Sequence, residues 1–336
     1  MQSILVTGGN GFIGSHMVNL LIKQKYHVVI IDNLSNSSYR EVPEATFIVG
    51  DISDSSLLES IFKQYKIYGV IHFAGSIEVS ESAINPGKFY QNNVANSINL
   101  LNCMIANDIK YFIFSSSAAI YGNPTDIPLN ENHSKNPVNP YGFSKLMVEN
   151  ILKDFEQSHD LKYIALRYFN AAGADVDGLL GEQHDPETHL IPILLEVVNG
   201  KRPYISIYGD DYPTTDGTCV RDYVHVQDLC EAHLLAMESL FKQNKSGAYN
   251  LGSGHGYTVK EIINKVSEIA KVNIPYKIQP RRPGDPASLI ADSSKAFKEL
   301  NWTPKYSDLH TIINTAYNFY QKLLSNEAST SVEIVI

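Results

Sequence analysis

The feature that most constrains this fold is an N-terminal order of apolar strand, glycine-rich turn and amphipathic helix. Residues Ser3–Thr7 form a short apolar run, glycines at positions 8, 11 and 14 follow in a GxxGxxG pattern, and a helical pattern continues to about Gln24. Backbone without side chains can approach a pyrophosphate closely, and the first amides of the helix then face the anion. The order therefore predicts a dinucleotide-binding βα unit.

A second apolar run, 26–31, ends in Asp32. An acid about 20 residues after the glycine loop can bind both ribose hydroxyls of NAD, and it repels the 2′-phosphate of NADP. The position of Asp32 therefore predicts NAD as the cofactor.

Strand and helix patterns then alternate. The predicted strands are 45–50, 68–74, 111–114 and 161–169, and the predicted helices are 53–66 (opened by a serine cap), 86–106 and one beginning near Tyr141. Alternation of this kind implies a parallel sheet with helices on both faces and ligand chemistry at the strand carboxyl ends. The predicted class is α/β, with a doubly wound, Rossmann-type parallel sheet.

The pattern changes after residue 172. Residues 173–220 carry glycine, proline and acidic loops around one short helix, 189–198, whereas 221–252 return to a strand-helix-strand pattern that we expect to rejoin the main sheet. Two helices, 258–271 and 308–324, follow. We predict an NAD-binding domain of residues 1–172 plus 221–252 and a smaller α/β substrate lobe of residues 173–220 plus 253–325. The tail, 326–336, receives no assignment.

Bulk properties exclude several classes. A net charge of −9 argues against nucleic-acid binding. The apolar runs are too short for a membrane span, and the N-terminus shows no charged segment and apolar core of a signal peptide. Three cysteines without a pairing framework read as reduced thiols, so we expect a cytoplasmic protein without a membrane partner.

A tyrosine–lysine pair is the strongest catalytic candidate. Tyr141 and Lys145 are four residues apart, which places them on one face of a helix. An ammonium roughly 4 Å from the phenol contributes about 4 kcal/mol at an effective dielectric near 20, or about three pKa units. Lys145 is therefore sufficient to lower the tyrosine pKa toward neutrality. Taken alone, the spacing is more typical of an ordinary aromatic on an amphipathic helix with a solvated lysine.

The whole set of motifs is more specific than any one of them. It consists of the segments 7–14, 32–37, 72–75, 115–117, 141–145, 167–170, 211–214, 220–226, 249–252 and 281–285. Together these segments resemble the extended short-chain dehydrogenase/reductase superfamily, and within it the family of UDP-glucose 4-epimerases. The resemblance spans nearly the whole chain.

The resemblance implies a role for each matching residue. The implied catalytic set is Ser117, Tyr141 and Lys145. The implied NAD-binding residues are Gly8, Gly11, Phe12, Ile13, Gly14, Asp32, Asn33, Asn36, Ser37, Asp51, Ile52, Phe73, Ala74, Gly75, Asn92, Tyr141, Lys145 and Phe169. The implied substrate-binding residues are Ser117, Tyr141, Asn170, His189, Leu190, Tyr208, Arg221, Arg282, Asp285 and Leu289. His189 stands where the family often has asparagine.

The resemblance further implies an isomerase that interconverts UDP-glucose and UDP-galactose through transient oxidation at C4, a 4-keto intermediate and hydride return to the opposite face. Leu289 is expected to face the sugar, which leaves the UDP-N-acetylhexosamine pair open as further substrates. A nucleotide-sugar 4,6-dehydratase or decarboxylase is the nearest alternative, and a non-catalytic NAD sensor is a second. Ala118 and Ala119 stand where a dehydratase typically has an acid.

Two further expectations concern a polar loop and the oligomeric state. His184, Asp185, Glu187 and His189 lie in a proline-containing loop without a recognised metal spacing, so we read them as solvated residues and predict no metal. We also predict a homodimer through helices near 86–106 and 141–156. The candidate contact residues are Ile98, Leu101, Ile105, Leu146, Asn150 and Ile151.

Overall fold

The computed structural model describes residues 2–36, 40, 42–184, 186–282 and 284–332, excepting the side chains of 327–332. Strands and helices alternate through its first half. In chain order these are β1 (Ser3–Thr7), α1 (Phe12–Lys23), β2 (His27–Asp32), β3 (Thr46–Val49), α2 (Ser55–Tyr65), β4 (Ile67–His72), α3 (Val79–Ile84), α4 (Pro86–Phe89), α5 (Asn96–Ala106), β5 (Tyr111–Ser117), α6 (Pro140–His159) and β6 (Lys162–Tyr168).

The second half contains shorter strands. Its elements are β7 (Asn170–Ala172), α7 (Leu190–Val198), β8 (Ile205–Tyr208), β9 (Val220–His225), α8 (Val226–Gln243), β10 (Gly247–Leu251), β11 (Gly256–Thr258), α9 (Val259–Ala270), β12 (Tyr276–Gln279), β13 (Ser288–Leu289), α10 (Ser294–Leu300) and α11 (Leu309–Val332). Helix α11 extends beyond the predicted end at 324 and includes part of the unassigned tail.

Seven strands form one parallel sheet in the order β10-β6-β5-β4-β1-β2-β3. Apolar residues of α1 and α8 cover one face of the sheet, and those of α2, α5 and α6 cover the other. Because both faces are buried, the strands read as continuous apolar runs. The predicted doubly wound α/β class is confirmed.

The smaller sheets lie beyond the carboxyl end of β6. Strand β9 pairs with β7, β11 and β13, and β8 pairs with β12. A third apolar core forms there between α7, α9 and α11. The expectation that 221–252 rejoins the main sheet holds for β10 but is wrong for β9, because β9 hydrogen-bonds to the short strands instead. The division into two lobes stays a prediction.

Several local expectations need correction. Helix α2 is capped by Asp54, whose side chain accepts from the amide of Leu57, and not by a serine. The predicted helix 86–106 consists of α4, a π-helical segment (Tyr90–Ala95) and α5. Helices α3 and α10 were not predicted. Leu101, offered as a dimer contact, is wholly buried against the main sheet and cannot reach a partner.

Two expectations about the chain's chemistry can be compared directly. Cys103, Cys219 and Cys230 are free thiols, as predicted. Within the described ranges, no helix combines the length and the apolarity that a membrane crossing requires.

Candidate active site

A cavity of about 660 Å³ opens at the carboxyl ends of the parallel strands. This is the edge at which ligands bind in open α/β sheets. The cavity brings together most of the predicted site residues. They are Gly8, Gly11, Phe12, Ile13, Gly14, Asp32, Asn33, Asn36, Asp51, Ile52, Phe73, Ala74, Gly75, Asn92, Ser117, Tyr141, Lys145, Phe169, Asn170, His189, Arg221, Asp285 and Leu289.

Among the described residues, three of the predicted set do not line this cavity: Leu190, Tyr208 and Arg282. Leu190 packs against the third apolar core, and the guanidinium of Arg282 lies 3.8 Å from the ring centre of Tyr208, outside the cavity wall. Ser37 lies outside the described residues. The predicted substrate-binding roles of Tyr208 and Arg282 therefore stay predictions.

The glycine loop is packed so closely that side chains are excluded. Gly8 has a φ of +69°, and a Cβ there would lie 2.6 Å from the backbone nitrogen of Ala74. A Cβ on Gly14 would lie 2.1 Å from the carbonyl oxygen of Gly8. No side chain caps α1, whose N-cap is Gly11. The first amides of α1 consequently face the cavity, where they can bind an anion.

Asp32 lies at the end of β2, beside the loop. Its carboxylate accepts from the amides of Asn10 and Leu34, both at 2.9 Å, which fixes the side chain at the cavity wall. Asn33 donates to Asp51 at 2.7 Å. Burial opposes ionisation of Asp51, but hydrogen bonds from Ser53 and Asn33 keep its pKa below the ordinary value.

Helix α6 carries the tyrosine–lysine pair. Its N-cap is Asn139, which accepts from the amide of Gly142 at 2.8 Å, and Pro140 occupies the first turn. This start places Tyr141 and Lys145 in the first two turns, facing the end of β5. The predicted helix and the common face of the pair are confirmed.

Lys145 does not lower the pKa of Tyr141 in the way that their spacing predicted. Its ammonium donates to the carbonyl oxygen of Ser115 at 2.8 Å and lies 5.8 Å from the centre of the Tyr141 ring. Burial lowers the pKa of Lys145 to about 8. Burial raises the pKa of Tyr141. The hydrogen bond with Ser117 lowers this pKa, but its effect is smaller than that of burial. The predicted lowering of the Tyr141 pKa is therefore wrong for the protein alone, because burial opposes formation of the phenolate.

The serines at 115–117 belong to β5 and point to different partners. Ser115 hydrogen-bonds the hydroxyl of Tyr168, and Ser116 donates to buried Glu149 at 2.6 Å. The hydroxyl of Ser117 accepts from the amide of Ala119 at 3.1 Å and forms a hydrogen bond with Tyr141. Ser117 also lines the cavity. Of the three serines, Ser117 is therefore the one placed beside the reactive phenol.

Sequence reasoning missed an amide network below the cavity. Asn93, in the π-helical segment, accepts from the amide of Ser76 at 2.7 Å and donates to the hydroxyl of Ser144 at 3.0 Å. Asn92 donates to the Ser76 hydroxyl at 3.0 Å. These bonds attach α6 to the loop after β4. Adjacent asparagines inside an otherwise regular helical pattern were the available signal, since π segments are frequent at functional sites.

The predicted substrate side of the cavity is built partly from the short strands. Arg221 on β9 forms an ion pair with Asp285, and Leu289 on β13 lies beside Arg221 in the same sheet. Arg221, Asp285, Leu289 and Asn170 line the cavity opposite the glycine loop. The two halves of the site therefore come from the main sheet and from the smaller sheet.

One prediction about this wall is wrong. His184 and Glu187 are not solvated: their side chains are 12% and 7% exposed. Together with Glu182 and His189 they form a compact cluster whose ligand atoms all lie within 4.8 Å of one another. Asp185 lies outside the described residues. Chain spacing alone suggested exposure, whereas the fold leaves the side chains of Glu182, His184 and Glu187 only 7–12% exposed and that of His189 40% exposed.

Comparison with known proteins gives consistent matches over most of the chain. The NAD dependent epimerase/dehydratase family model matches residues 4–252. A UDP-glucose 4-epimerase of Halalkalibacterium halodurans is 48% identical over 321 residues, covering 96% of each chain. The crystal structure of the Brucella ovis UDP-glucose 4-epimerase in complex with NAD has a TM-score of 0.92 at 45% identity and covers 95% of this chain and 98% of that chain. The Bifidobacterium longum UDP-glucose 4-epimerase in complex with NAD+ and UDP has a TM-score of 0.90 at 39% identity, covering 96% and 98%.

Proposed function

Because the chain belongs to the NAD dependent epimerase/dehydratase family, we propose that it interconverts UDP-glucose and UDP-galactose with NAD as its cofactor. Full-length similarity to enzymes of that name supports the reaction. The single observation that carries the proposal is one cavity lined by the glycine loop, Asp32, Ser117, Tyr141 and Lys145. A dinucleotide site and a tyrosine base in the same cavity are what oxidation at a carbon bearing a hydroxyl requires.

The residues present fit NAD. Contacts at Gly8 and Gly14 leave no room for a Cβ, so backbone lies at the surface where a pyrophosphate would rest. Asp32 presents a fixed carboxylate at the distance along the chain expected for the adenosine ribose. Bound NAD would supply the hydride acceptor for oxidation at the sugar C4, and Tyr141 and Lys145 are among the residues that would hold it.

The chain's own residues handle the proton. As the phenolate, Tyr141 accepts the proton of the sugar 4-hydroxyl, and the Ser117 hydroxyl bonds the reacting oxygen. Lys145 is held by the carbonyl of Ser115 and supplies a fixed positive charge on the same helix face. Arg221 can pair with a diphosphate through its planar fork. Binding the substrate through its nucleotide leaves the sugar free to turn between the two half-reactions.

The experiment that tests this assignment is Tyr141→Phe. Loss of a general base lowers turnover by about 10²–10⁴-fold, whereas NAD content should stay that of the wild type because the ring is kept. Tyr276→Phe is a matched control, since Tyr276 lies on β12 and is 49% exposed. A Tyr141→Phe variant with most of its activity would remove the residue from the mechanism.

The alternatives have less support from the site. Ala118 and Ala119 line the cavity directly after Ser117, where a 4,6-dehydratase would need an acid. A non-catalytic NAD sensor would not need Tyr141 and Lys145 in one cavity with the glycine loop. Incubation with UDP-glucose and analysis by proton NMR distinguishes a 4-epimer from a dehydrated product.

A second candidate substrate pair follows from Leu289, which lines the cavity and which the family resemblance implies faces the sugar. Leucine is shorter than tyrosine, so the pocket has room for part of a 2-acetamido group. We propose measurable turnover of UDP-N-acetylglucosamine beside a preference for UDP-glucose and UDP-galactose. A panel of UDP-hexoses and UDP-N-acetylhexosamines, without added NAD, tests this substrate range.

The homodimer is also proposed. Phe143 and Met147, one turn apart on α6, are 40% and 41% exposed, and Asn150 continues the same face. A second copy of this chain packed through α5 and α6 would cover these side chains. Sedimentation at micromolar concentration tests the proposal, and a monomer would contradict it.

A further inference from the structure

The cluster of Glu182, His184, Glu187 and His189 has the geometry of a four-ligand metal site. Nδ1 of His189 lies 3.0 Å from Oε1 of Glu182 and 3.2 Å from Oε1 of Glu187. Nδ1 of His184 lies 3.5 Å from Oε1 of Glu182 and 3.5 Å from Oε2 of Glu187. Each imidazole nitrogen thus contacts both carboxylates.

These separations match the edges of a coordination tetrahedron. Zinc binds imidazole nitrogen at about 2.0–2.1 Å and carboxylate oxygen at about 2.0–2.2 Å, which makes a tetrahedron edge about 3.4 Å. With one oxygen taken from each carboxylate, three of the six edges lie between 3.0 and 3.5 Å, whichever oxygen of Glu187 is used. A single ion at the centre would satisfy both histidines and both carboxylates at once.

Hydrogen bonds within the cluster account for only part of this arrangement: Nδ1 of His189 hydrogen-bonds Oε1 of Glu187 at 3.2 Å, but Nδ1 of His184 has no such bond. An imidazole Nδ1 carries one proton at most, yet each Nδ1 faces two carboxylates. Nδ1 of His184 is buried and makes no hydrogen bond. Oε1 of Glu187 already accepts from the amides of Thr188 and His189, both at 2.8 Å. Nδ1 of His184 therefore faces Oε1 of Glu182 and Oε2 of Glu187, both at 3.5 Å, without a hydrogen bond to either.

The two carboxylates also require a positive charge. Glu182 and Glu187 are 8% and 7% exposed and converge on the same point. Two carboxylates brought together away from water repel one another unless a cation lies between them. Protonated His189, at 3.0 and 3.2 Å from the two carboxylates, can supply one positive charge, and a bound divalent ion would supply two.

The local chain explains how four ligands can converge. They occur as two pairs spaced two residues apart, 182 with 184 and 187 with 189, on either side of Pro186. In non-helical, extended backbone, alternate side chains point to the same side. Two such pairs, facing each other, therefore place four side chains around one point.

We infer that Glu182, His184, Glu187 and His189 bind one divalent cation of the zinc class, through both Nδ1 atoms and one oxygen of each carboxylate. Mixed imidazole and carboxylate ligands favour zinc over magnesium or calcium, which prefer six or more oxygens. Four protein ligands make the site structural, with no open position for catalysis.

The site would fix one wall of the substrate cavity. Glu182, His184 and His189 line that cavity, and His189 is the N-cap of α7. Gly181 packs against the ring of Phe319 on α11, where a Cβ would lie 2.2 Å from the ring. The loop that carries the four ligands precedes α7 in the chain and packs against α11. A cation bound to the cluster would therefore hold this loop as a rigid wall of the cavity.

The test uses tag-free full-length protein, because a histidine tag binds the same metals. The protein is incubated with ZnCl₂, desalted and analysed for metal per chain, and a Co²⁺-loaded sample is examined by visible absorption. We expect about one zinc per chain and the intense bands of tetrahedral Co²⁺. MgCl₂ should neither be retained nor raise the melting temperature, whereas ZnCl₂ should raise it.

Variants make the assignment specific. His184→Ala and Glu182→Gln should weaken zinc binding by more than about 100-fold, the upper end of the loss from removing an outer-shell partner. His255→Ala is the matched control, since His255 is exposed and lies outside the cluster, and it should bind zinc as the wild type does. The inference is overturned if the wild type retains no zinc, if Co²⁺ gives the weak bands of six-coordinate ions, or if His184→Ala binds as the control.

Discussion

The buried ion pair between Glu149 and Arg167 provides the sharpest quantitative prediction. Residues 141, 145 and 149 are four apart, so Glu149 continues the helix face that carries Tyr141 and Lys145. Its carboxylate accepts from Nε and a terminal nitrogen of Arg167 at 2.8 and 2.7 Å. The pair therefore attaches the catalytic face of α6 to β6.

The substitution Glu149→Gln removes the negative charge of the pair and leaves the positive charge of Arg167 buried without a partner charge. The two side chains are 3% and 4% exposed, so water cannot compensate. Breaking a buried pair in this way costs about 3–5 kcal/mol. With an unfolding entropy of about 2.1 cal/mol/K per residue, 336 residues give about 0.7 kcal/mol/K. The melting temperature should fall by about 4–7 °C.

Differential scanning calorimetry measures this shift directly. Glu156→Gln is the matched control on the same helix, because Glu156 is 31% exposed, pairs with Lys162 and should cost less than about 1 kcal/mol. Glu149→Leu combined with Arg167→Met should be more stable than Glu149→Gln, since both charges are gone. Equal melting temperatures for the Glu149→Gln and Glu156→Gln variants would refute the reasoning.

Three further predictions concern the cavity. Asp32→Ala should weaken NAD binding by about 10–100-fold, because bonds to a charged acceptor contribute about 1.5–3 kcal/mol; finding NADP in the supernatant of denatured wild-type protein would contradict the assumed selectivity. Leu289→Tyr should lower UDP-N-acetylglucosamine turnover by about 5–150-fold and leave UDP-galactose turnover largely unchanged; equal losses on both sugars would exclude Leu289 as the determinant. Burial lowers the pKa of Lys145 to about 8 from an unfolded value near 10.5. Below pH 8 the charged, buried ammonium therefore lowers the free energy of unfolding by about 3 kcal/mol, and this loss disappears as the pH rises toward 10.5. Cofactor-free Lys145→Met should therefore melt higher than the wild type at pH 7, and the difference should shrink at pH 9.5; a pH-independent difference would rule out this cause.

Local sequence was sufficient for the main sheet and the cofactor side of the cavity. Buried parallel strands require continuous apolar runs, and the glycine loop requires residues without a Cβ, so both features are written in consecutive positions. The βα order from Ser3–Thr7 to Lys162–Tyr168 and the convergence of Asp32, Ser117 and Tyr141 at one edge were predictable for that reason.

Features that depend on what packs against a residue were not predictable. The strand Val220–His225 reads like any other, and only its hydrogen-bond partners assign it to the smaller sheet. Leu101 has the spacing of a surface stripe but lies under the sheet. The raised pKa of Tyr141 arises from burial, which the spacing to Lys145 does not reveal.

The loop that contains Glu182 and His189 shows the same division. Its sequence is polar and contains a proline, and by itself it is typical of a solvated turn. The fold leaves three of its four polar side chains, those of Glu182, His184 and Glu187, only 7–12% exposed and brings them together with His189 into one converging set. The sequence by itself determined which chemical groups are available, whereas the tertiary structure decided their solvation, because the atoms that exclude water come from distant parts of the chain.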